Sequence, residues 1–190
     1  MLRMFGFLPP IAFYVLAICA LAATYSAQDA YLAVNPDADP DVTPDFAPGI
    51  ERPPAGQIAF PVAADSDCYV LDNFGDCRSG CSRLHQGIDI MGSRYQPVYA
   101  VADGVLTQRY NDRGLSWGAG NGWTLYDEDN DVYYKFFHLD SHAEGLSEGD
   151  SVEFGQVIGY VGKTGNATGY HLHYGLMQGG RYVDPIRLQM

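Results

Sequence analysis

The sequence predicts an all-β domain over residues 58–190, and two kinds of pattern support this fold class. Short runs of β-branched and aromatic residues alternate with turn signals along this region, as in proteins built from many short strands. Glycine and tyrosine are also abundant, with 22 and 14 copies in the chain. The region has about 130 residues, which is enough for one domain with its own hydrophobic core.

Turn signals place the first predicted strands. The dipeptide Asp103-Gly104 favours a tight turn between two strands. The acidic run 127–131 predicts a longer hairpin loop, and the glycines of residues 118–122 and 162–169 predict loops beside a narrow cleft. The strands flanking the first two turns are predicted at Val98–Val101 with Val105–Thr107, and at Trp123–Tyr126 with Val132–Phe137.

Residues 1–27 form a hydrophobic segment that precedes this domain. Arg3 precedes this segment, and residues 11–23 are continuously apolar, a length that suits the apolar part of a signal peptide. Residues 5–25 are also just long enough to span a bilayer, so a retained membrane anchor is an equal alternative. Either interpretation predicts an extracytoplasmic protein, periplasmic or secreted.

Residues 28–57 predict an extended, disordered linker. Low hydrophobicity, like charges and frequent proline prevent such a segment from forming a core. The whole chain carries a net charge of -12. It has no basic stripe, which argues against a nucleic-acid partner. The residues that give the linker this character are Pro36, Asp37, Asp39, Pro40, Asp41, Pro44, Asp45, Pro48, Pro53 and Pro54.

Four of the five histidines are concentrated in three short motifs, His85-Gln86-Gly87-Ile88-Asp89, Phe137-His138-Leu139 and His171-Leu172-His173. Imidazole and carboxylate groups are the ligands that a hydrolytic zinc ion takes, with three protein ligands and a fourth position left for water. The fifth histidine, His142, is interpreted as a surface loop residue.

The spacing of the outer motifs can be tested against backbone geometry. In a strand, His171 and His173 would project from one face roughly 6.6 Å apart, with Leu172 turned to the core. Gly87 argues against a helix between His85 and Asp89. It would let the chain bend so that both side chains reach one ion.

Further motifs accompany the histidines in a defined order. They are Pro97–Val105, Gly120–Gly122, Gly149–Val152, Gly155–Gly162, Thr164-Gly165, Thr168-Gly169 and Val183–Pro185. Together, these motifs resemble the LytM-type (M23) zinc endopeptidases, which cut peptidoglycan peptides. The resemblance runs from about Phe60 to Leu188, roughly two thirds of the chain.

The resemblance implies a single antiparallel β-sandwich or barrel-like domain with one Zn2+. It implies that His85, Asp89 and His173 are the zinc ligands. His138 and His171 would be the catalytic histidines, taking a proton from water or stabilising the oxyanion, in an order that the sequence leaves open. The implied substrates are cross-link or stem peptides of peptidoglycan.

The chain departs from the family pattern at two positions beside the ligands. Gly175 replaces a frequent glutamate and Tyr170 replaces a frequent proline. An alternative function is a catalytically silent module on the same fold that binds the wall or activates another hydrolase. Another alternative is a structural zinc. The complete set of five residues favours the enzyme. A set of only three protein ligands favours a catalytic zinc with an open fourth position over a structural zinc.

Three cysteines, Cys68, Cys77 and Cys81, lie just before the first histidine motif. In an exported domain they favour a disulfide over a second metal site, because no CxxC spacing is present. Three pairings are open, and Cys77 with Cys81 is slightly favoured because it closes a small loop.

Overall fold

The computed structural model describes residues 50, 52, 59–63, 68–112 and 118–187. The predicted hydrophobic segment, 1–27, and nearly all of the predicted linker lie outside these residues. Within the described ranges, no helix is long and apolar enough to cross a membrane.

Twelve strands occur in the described part of the chain, and every pairing between them is antiparallel. This confirms the predicted all-β class. The strands are β1 (Tyr69–Leu71), β2 (Cys77–Arg78), β3 (Arg83–Leu84), β4 (Ile88–Met91), β5 (Pro97–Tyr99), β6 (Gly104–Tyr110), β7 (Asn121–Asp127), β8 (Val132–His142), β9 (Ser151–Val152), β10 (Val157–Val161), β11 (His171–Gln178) and β12 (Arg181–Val183).

One large sheet contains ten of these strands, and seven of them follow one another in the order β1-β4-β11-β8-β7-β6-β9. Strand β12 pairs with β11, while β10 pairs with both β8 and β5. Strands β2 and β3 form a separate hairpin. The 11-residue strand β8 therefore connects the β11 side of the sheet to the β7 and β10 sides.

The core lies against one face of the central strands. Strands β7, β8 and β11 contribute alternating side chains that are fully buried, among them Trp123, Phe136 and Leu172. Each such side chain stabilises the fold by about 1.5–3 kcal/mol through its removal from water. The Trp123 indole also donates a hydrogen bond to the Ile158 carbonyl at 2.8 Å, so its polar atom is satisfied inside the core.

The predicted hairpin around the acidic run is confirmed. Strands β7 and β8 pair directly on either side of it, with Asp127 opposite Val132. The Asp127 carboxylate accepts hydrogen bonds from the backbone and side chain of Asn130, at 3.1 and 2.9 Å. This is a local side-chain turn of the kind that aspartate favours.

The predicted turn at Asp103-Gly104 joins two strands that do not pair with each other. Strand β5 pairs with β10, whereas β6 pairs with β7 and β9. The segment after β5 does not pair with β6, because Ala100 exchanges backbone hydrogen bonds with Gly155 and Gln156. The Asp103 carboxylate also accepts a hydrogen bond from the Phe154 N–H at 2.7 Å. The predicted tight hairpin is therefore wrong.

The interpretation of His142 as a surface loop residue is also wrong. His142 is the last residue of β8 and is half-buried. Its ring packs edge-on against Trp123, with centroids 4.7 Å apart, and its Nε2 lies 3.0 Å from the Gly122 carbonyl oxygen. His142 belongs to the packed sheet because β8 continues beyond the predicted end at Phe137.

The favoured disulfide is present. Cys77 and Cys81 are bonded and close the loop between β2 and β3. Cys68 is buried and lies outside this disulfide. The bond fixes a short hairpin immediately before the first histidine motif.

Candidate metal centre

The centre is built where β4 and β11 pair. His173 on β11 lies directly opposite Asp89 on β4, and Leu172 lies opposite Ile90. Leu172 and Ile90 are fully buried in the core. Because side chains alternate along a strand, Asp89 and His173 project from the other face, together with His171.

Gly87 brings His85 to the same point. A Cβ atom at Gly87 would lie 2.5 Å from the Tyr174 carbonyl oxygen and 2.8 Å from the His173 ring. Real side chains do not approach backbone so closely, and only glycine allows such contact. The bend at Gly87 therefore depends on the missing side chain.

The three side chains converge on one point. Their ligand atoms all lie within 4.8 Å of one another, and all three residues are buried. His85 Nε2 is 2.8 Å from His173 Nδ1, and Asp89 Oδ1 is 3.2 Å from each of these nitrogens. Two imidazole nitrogens and one carboxylate oxygen are a donor set that suits a zinc ion with an open fourth position.

Asn73 orients two of these residues. Its backbone carbonyl accepts a hydrogen bond from His85 Nδ1 at 3.0 Å, which leaves the Nε2 lone pair directed to the centre. Its side-chain amide donates to Asp89 Oδ2 at 2.8 Å. The same oxygen accepts a hydrogen bond from Arg78 Nη2 at 3.2 Å. Such partners of ligand residues fix ring orientation and tautomer in metal sites.

The sequence interpretation did not identify Asn73 or Arg78. They precede Asp89 by 16 and 11 residues and belong to a turn and to a hairpin. Neither position has a periodic relation to the histidine motifs. The only sequence signal near them is the pair of cysteines that closes the β2–β3 hairpin.

The protonation states of the centre follow from burial and hydrogen bonding. Burial alone would raise the pKa of Asp89, but the close contacts of its carboxylate with His173, His85 and Asn73 hold that pKa far below its usual value. Burial lowers the pKa of His173, so its imidazole is neutral. An ionised carboxylate and a neutral imidazole are the forms that bind a metal.

His138 and His171 lie beside the three ligand residues. Their ring centroids are 4.8 Å apart, and the His138 ring is 6.0 Å from that of His173. His138 Nδ1 donates to the Thr164 carbonyl at 2.9 Å, and His171 Nδ1 donates to the Gly169 carbonyl at the same distance. A carbonyl can only accept, so each Nδ1 carries a hydrogen, and in the neutral form of each ring the lone pair is on Nε2.

A bulge in β8 aims His138. The pairing of β7 with β8 shifts register between Asn121 and Gly122, opposite this part of β8. His138 has a φ of 66°, in the left-handed region that non-glycine residues rarely adopt. Its N–H bonds to the Ala119 carbonyl at 2.9 Å, which holds the bulge. Bulges of this kind re-aim side chains next to functional sites.

Burial lowers the pKa of His138 to about 4, with further lowering from the neighbouring histidines His171 and His173. The ring is therefore neutral at pH 7. A neutral ring with Nδ1 donating can accept a proton at Nε2.

A cleft of about 220 Å³ is lined in part by Thr164, whose carbonyl oxygen bonds to His138, and by Tyr170, the residue before His171. Two predicted loop segments meet at Thr164, because Asn121 N–H donates to Thr164 Oγ1 at 2.9 Å. Thr164 Oγ1 in turn donates to the Leu139 carbonyl at 2.6 Å. The side chains lining the cleft are Arg94, Asp140, Lys163, Thr164 and Tyr170.

Comparison with known proteins gives a consistent picture. The profile of peptidase family M23 matches residues 83–185. An L-Ala–D-Glu endopeptidase of Bacillus subtilis is 35% identical over 130 residues, which are 64% of this chain and 38% of that protein. The DD-carboxypeptidase/endopeptidase Mpg of Neisseria meningitidis is 40% identical over 110 residues, 57% of this chain and 23% of that protein. The chain thus spans well under half the length of these curated relatives.

Solved structures give matches of similar extent. The catalytic domain of the prophage-encoded M23 protein EnpA from Enterococcus faecalis is 26% identical, with a TM-score of 0.54. The match covers 66% of this chain and 95% of that domain. The catalytic domain of lysostaphin from Staphylococcus simulans is also 26% identical, with a TM-score of 0.53 over 63% of this chain and 90% of that domain.

Proposed function

Because the chain belongs to peptidase family M23, we propose that it is a zinc-dependent endopeptidase that hydrolyses peptide bonds in peptidoglycan cross-links or stem peptides. The observation that carries this proposal is the convergence of His85, Asp89 and His173, with two further histidines beside them. The similar proteins described above include an L-Ala–D-Glu endopeptidase and a DD-carboxypeptidase/endopeptidase, which supports peptide hydrolysis as the reaction.

In this proposal, His85 Nε2, His173 Nδ1 and Asp89 Oδ1 hold the zinc ion. The donor set and its burial suit that ion. When bound, zinc supplies Lewis-acid polarisation of a peptide carbonyl and lowers the pKa of water to about 7.

His138 and His171 move the protons. Each has its Nδ1–H bound to a backbone carbonyl, so each ring is held with the Nε2 lone pair available. One ring accepts the proton of the attacking water. The protonated imidazole is then a donor for the oxygen that gains negative charge or for the leaving amine. The fixed carbonyl partners keep both rings oriented throughout.

We also propose an extracytoplasmic location for the enzyme. The Cys77–Cys81 disulfide supports it, because structural disulfides form and persist in oxidising compartments. Residues 1–27 would then act as a signal peptide or a membrane anchor, and residues 28–57 as a tether. In the anchored form, the enzyme would reach only wall close to the membrane.

The test is digestion of purified peptidoglycan by the zinc-loaded 190-residue chain, with mass analysis of the released peptides. We expect release by the wild type, and none after chelation or in His173→Ala, which loses a ligand. His138→Asn should keep zinc and lose cleavage. His142→Gln is the matched control, since this histidine lies outside the centre, and it should cleave normally.

A folded, zinc-loaded protein that releases no peptide would contradict the proposal. That result would favour a catalytically silent module on this fold that binds the wall or activates another hydrolase. Cleavage by the zinc-free protein would contradict the zinc dependence, and full zinc binding by His173→Ala would contradict the assignment of the ligands.

A further inference from the structure

We propose that the cleft beside His171 binds a carboxylate of the substrate peptide through Arg94 and Lys163, and so selects acidic stem peptides over neutral ones. This inference rests on the proposed function, because it assigns a substrate class to the same site. It concerns residues that neither hold the metal nor move protons.

Two residues that line the cleft are direct neighbours of the catalytic histidines. Thr164 lines the cleft, and its carbonyl oxygen accepts the hydrogen bond from His138 Nδ1 at 2.9 Å. Tyr170 also lines the cleft and directly precedes His171 in the chain. Thr164 thus links the cleft to His138 through one hydrogen bond.

The charge of the cleft is opposite to that of the protein. The chain has a net charge of -12, and only two of its residues are lysines. One of these, Lys163, lines the cleft together with Arg94 and Asp140, which leaves a net charge of one positive unit there. Local charge of one sign in a cleft attracts ligands of the other sign even when the whole protein repels them.

Arg94 keeps donors for a ligand. Its Nε lies 2.9 Å from Asp140 Oδ1, so the pair uses one side of the guanidinium. Arginine has five N–H donors in a planar fork, so the edge formed by its two terminal nitrogens is available to a ligand. Lys163 forms no ion pair with any residue that the structure describes, so its ammonium can serve a ligand as well.

Aromatic rings hold both cations at the rim. The Tyr170 ring centroid is 5.6 Å from Lys163 Nζ and 5.9 Å from Arg94 Cζ. The Tyr95 centroid is 4.4 Å from Arg94 Cζ. Cation–π contacts at these distances are attractive and restrict long side chains before a ligand arrives.

Tyr170 is the residue whose ring contacts both cations. The carboxylate preference therefore depends on Tyr170 as a positioning residue. Two cations near one ring suit a carboxylate, which accepts charge-assisted hydrogen bonds from both.

The experiment compares two stem-type peptides that differ in a single carboxylate, free in one and amidated in the other. We expect the zinc-loaded chain to prefer the free acid by about tenfold in kcat/KM. The difference should lie in KM rather than in kcat, and it should decrease at high salt. Lys163→Gln and Arg94→Gln should each reduce the ratio of kcat/KM for the free acid to kcat/KM for the amide. Tyr170→Phe should retain the preference, and Tyr170→Ala should lose it.

Arg52→Gln is the matched control. Arg52 is also exposed, also pairs with an aspartate at 2.9 Å, and also lies over an aromatic ring. Its partners, Asp103 and Phe154, do not line the cleft. The Arg52→Gln variant should keep the full preference for the acid.

A second readout does not require turnover. Equilibrium binding of both peptides to the metal-free protein should show the same preference and the same dependence on Lys163 and Arg94. Equal binding of acid and amide by the wild type, or a preference that survives both cleft substitutions, would overturn the inference. If neither peptide is cleaved but the acid binds preferentially, the proposed function fails and the carboxylate site stands.

Discussion

Arg78 and Asp89 form an ion pair on the outer side of the metal centre. Arg78 Nη2 lies 3.2 Å from Asp89 Oδ2, while the other oxygen, Oδ1, faces His85 and His173. Asn73 donates to the same outer oxygen at 2.8 Å. The two oxygens of this carboxylate therefore have different roles. The contacts of Oδ2 fix the direction in which Oδ1 points.

Removing the guanidinium should weaken metal binding. We expect Arg78→Gln to lower zinc affinity by about 10–100-fold, the usual effect of removing a group that orients a ligand. Competition with a chromogenic chelator measures this directly. Arg83→Gln is the control, because Arg83 lies opposite Arg78 in the same hairpin and is exposed. Equal zinc affinity in the two variants would show that Arg78 does not support the centre.

The Cys77–Cys81 disulfide should stabilise both the fold and the centre, because it closes the hairpin that carries Arg78. The small loop predicts a loss of about 2 kcal/mol in unfolding free energy for the double serine variant. Urea unfolding with and without a reductant tests this. The reductant should lower the unfolding free energy of the wild type to that of the variant and leave the variant's value unchanged. A reductant effect on the variant would point to another cause.

His142 should make stability depend on pH. Burial lowers its pKa, with a further contribution from Arg109, whose Nη2 is 3.3 Å from His142 Nδ1. Below about pH 6.5 the unfolded chain binds a proton here that the folded chain does not, so stability falls as the pH decreases. The stability that His142 contributes is complete above this pH and is lost as the pH falls toward its folded pKa.

Unfolding of the wild type and of His142→Gln at pH 7.5, 6 and 5 isolates this effect. The other histidines are common to both proteins, so their titration cancels in the difference. We expect the wild type to lose more stability than the variant between the highest and lowest pH. Parallel pH profiles would rule out His142 as the source.

Gly87 should tolerate no side chain. A Cβ there would overlap the Tyr174 carbonyl and the His173 ring, so Gly87→Ala should displace His173 and abolish stoichiometric zinc binding. Gly118→Ala is the control, because a Cβ at Gly118 meets no atom within 4 Å. Zinc content and melting temperature of both variants give the comparison. Full zinc occupancy in Gly87→Ala would show that the bend can relax.

The strand positions of the histidines were predictable because a period of two decides which side chains share a face. His171, Leu172 and His173 alternate as expected, with Leu172 in the core. The β7–β8 hairpin and the Cys77–Cys81 bond were predictable for similarly local reasons. In each case, the residues that decide the structure are close together in sequence.

Contacts between distant segments were not predictable. The tight hairpin predicted at Asp103-Gly104 does not form, because Ala100 bonds to Gly155 and Gln156 and the flanking strands pair elsewhere. Asn73 and Arg78 reach Asp89 only because a turn and a hairpin fold back over it. No periodicity or motif in one sequence contains that information.

At His138 the demands of the backbone and of the chemistry differ. The left-handed conformation there is adopted most easily by glycine and asparagine, and it costs an ordinary residue roughly 1–2 kcal/mol. Asparagine would accept the conformation and keep an N–H donor for the Thr164 carbonyl. A library of variants sorted only for heat resistance should therefore move from histidine toward asparagine at this position. The same library sorted for cutting of cell wall should return to histidine.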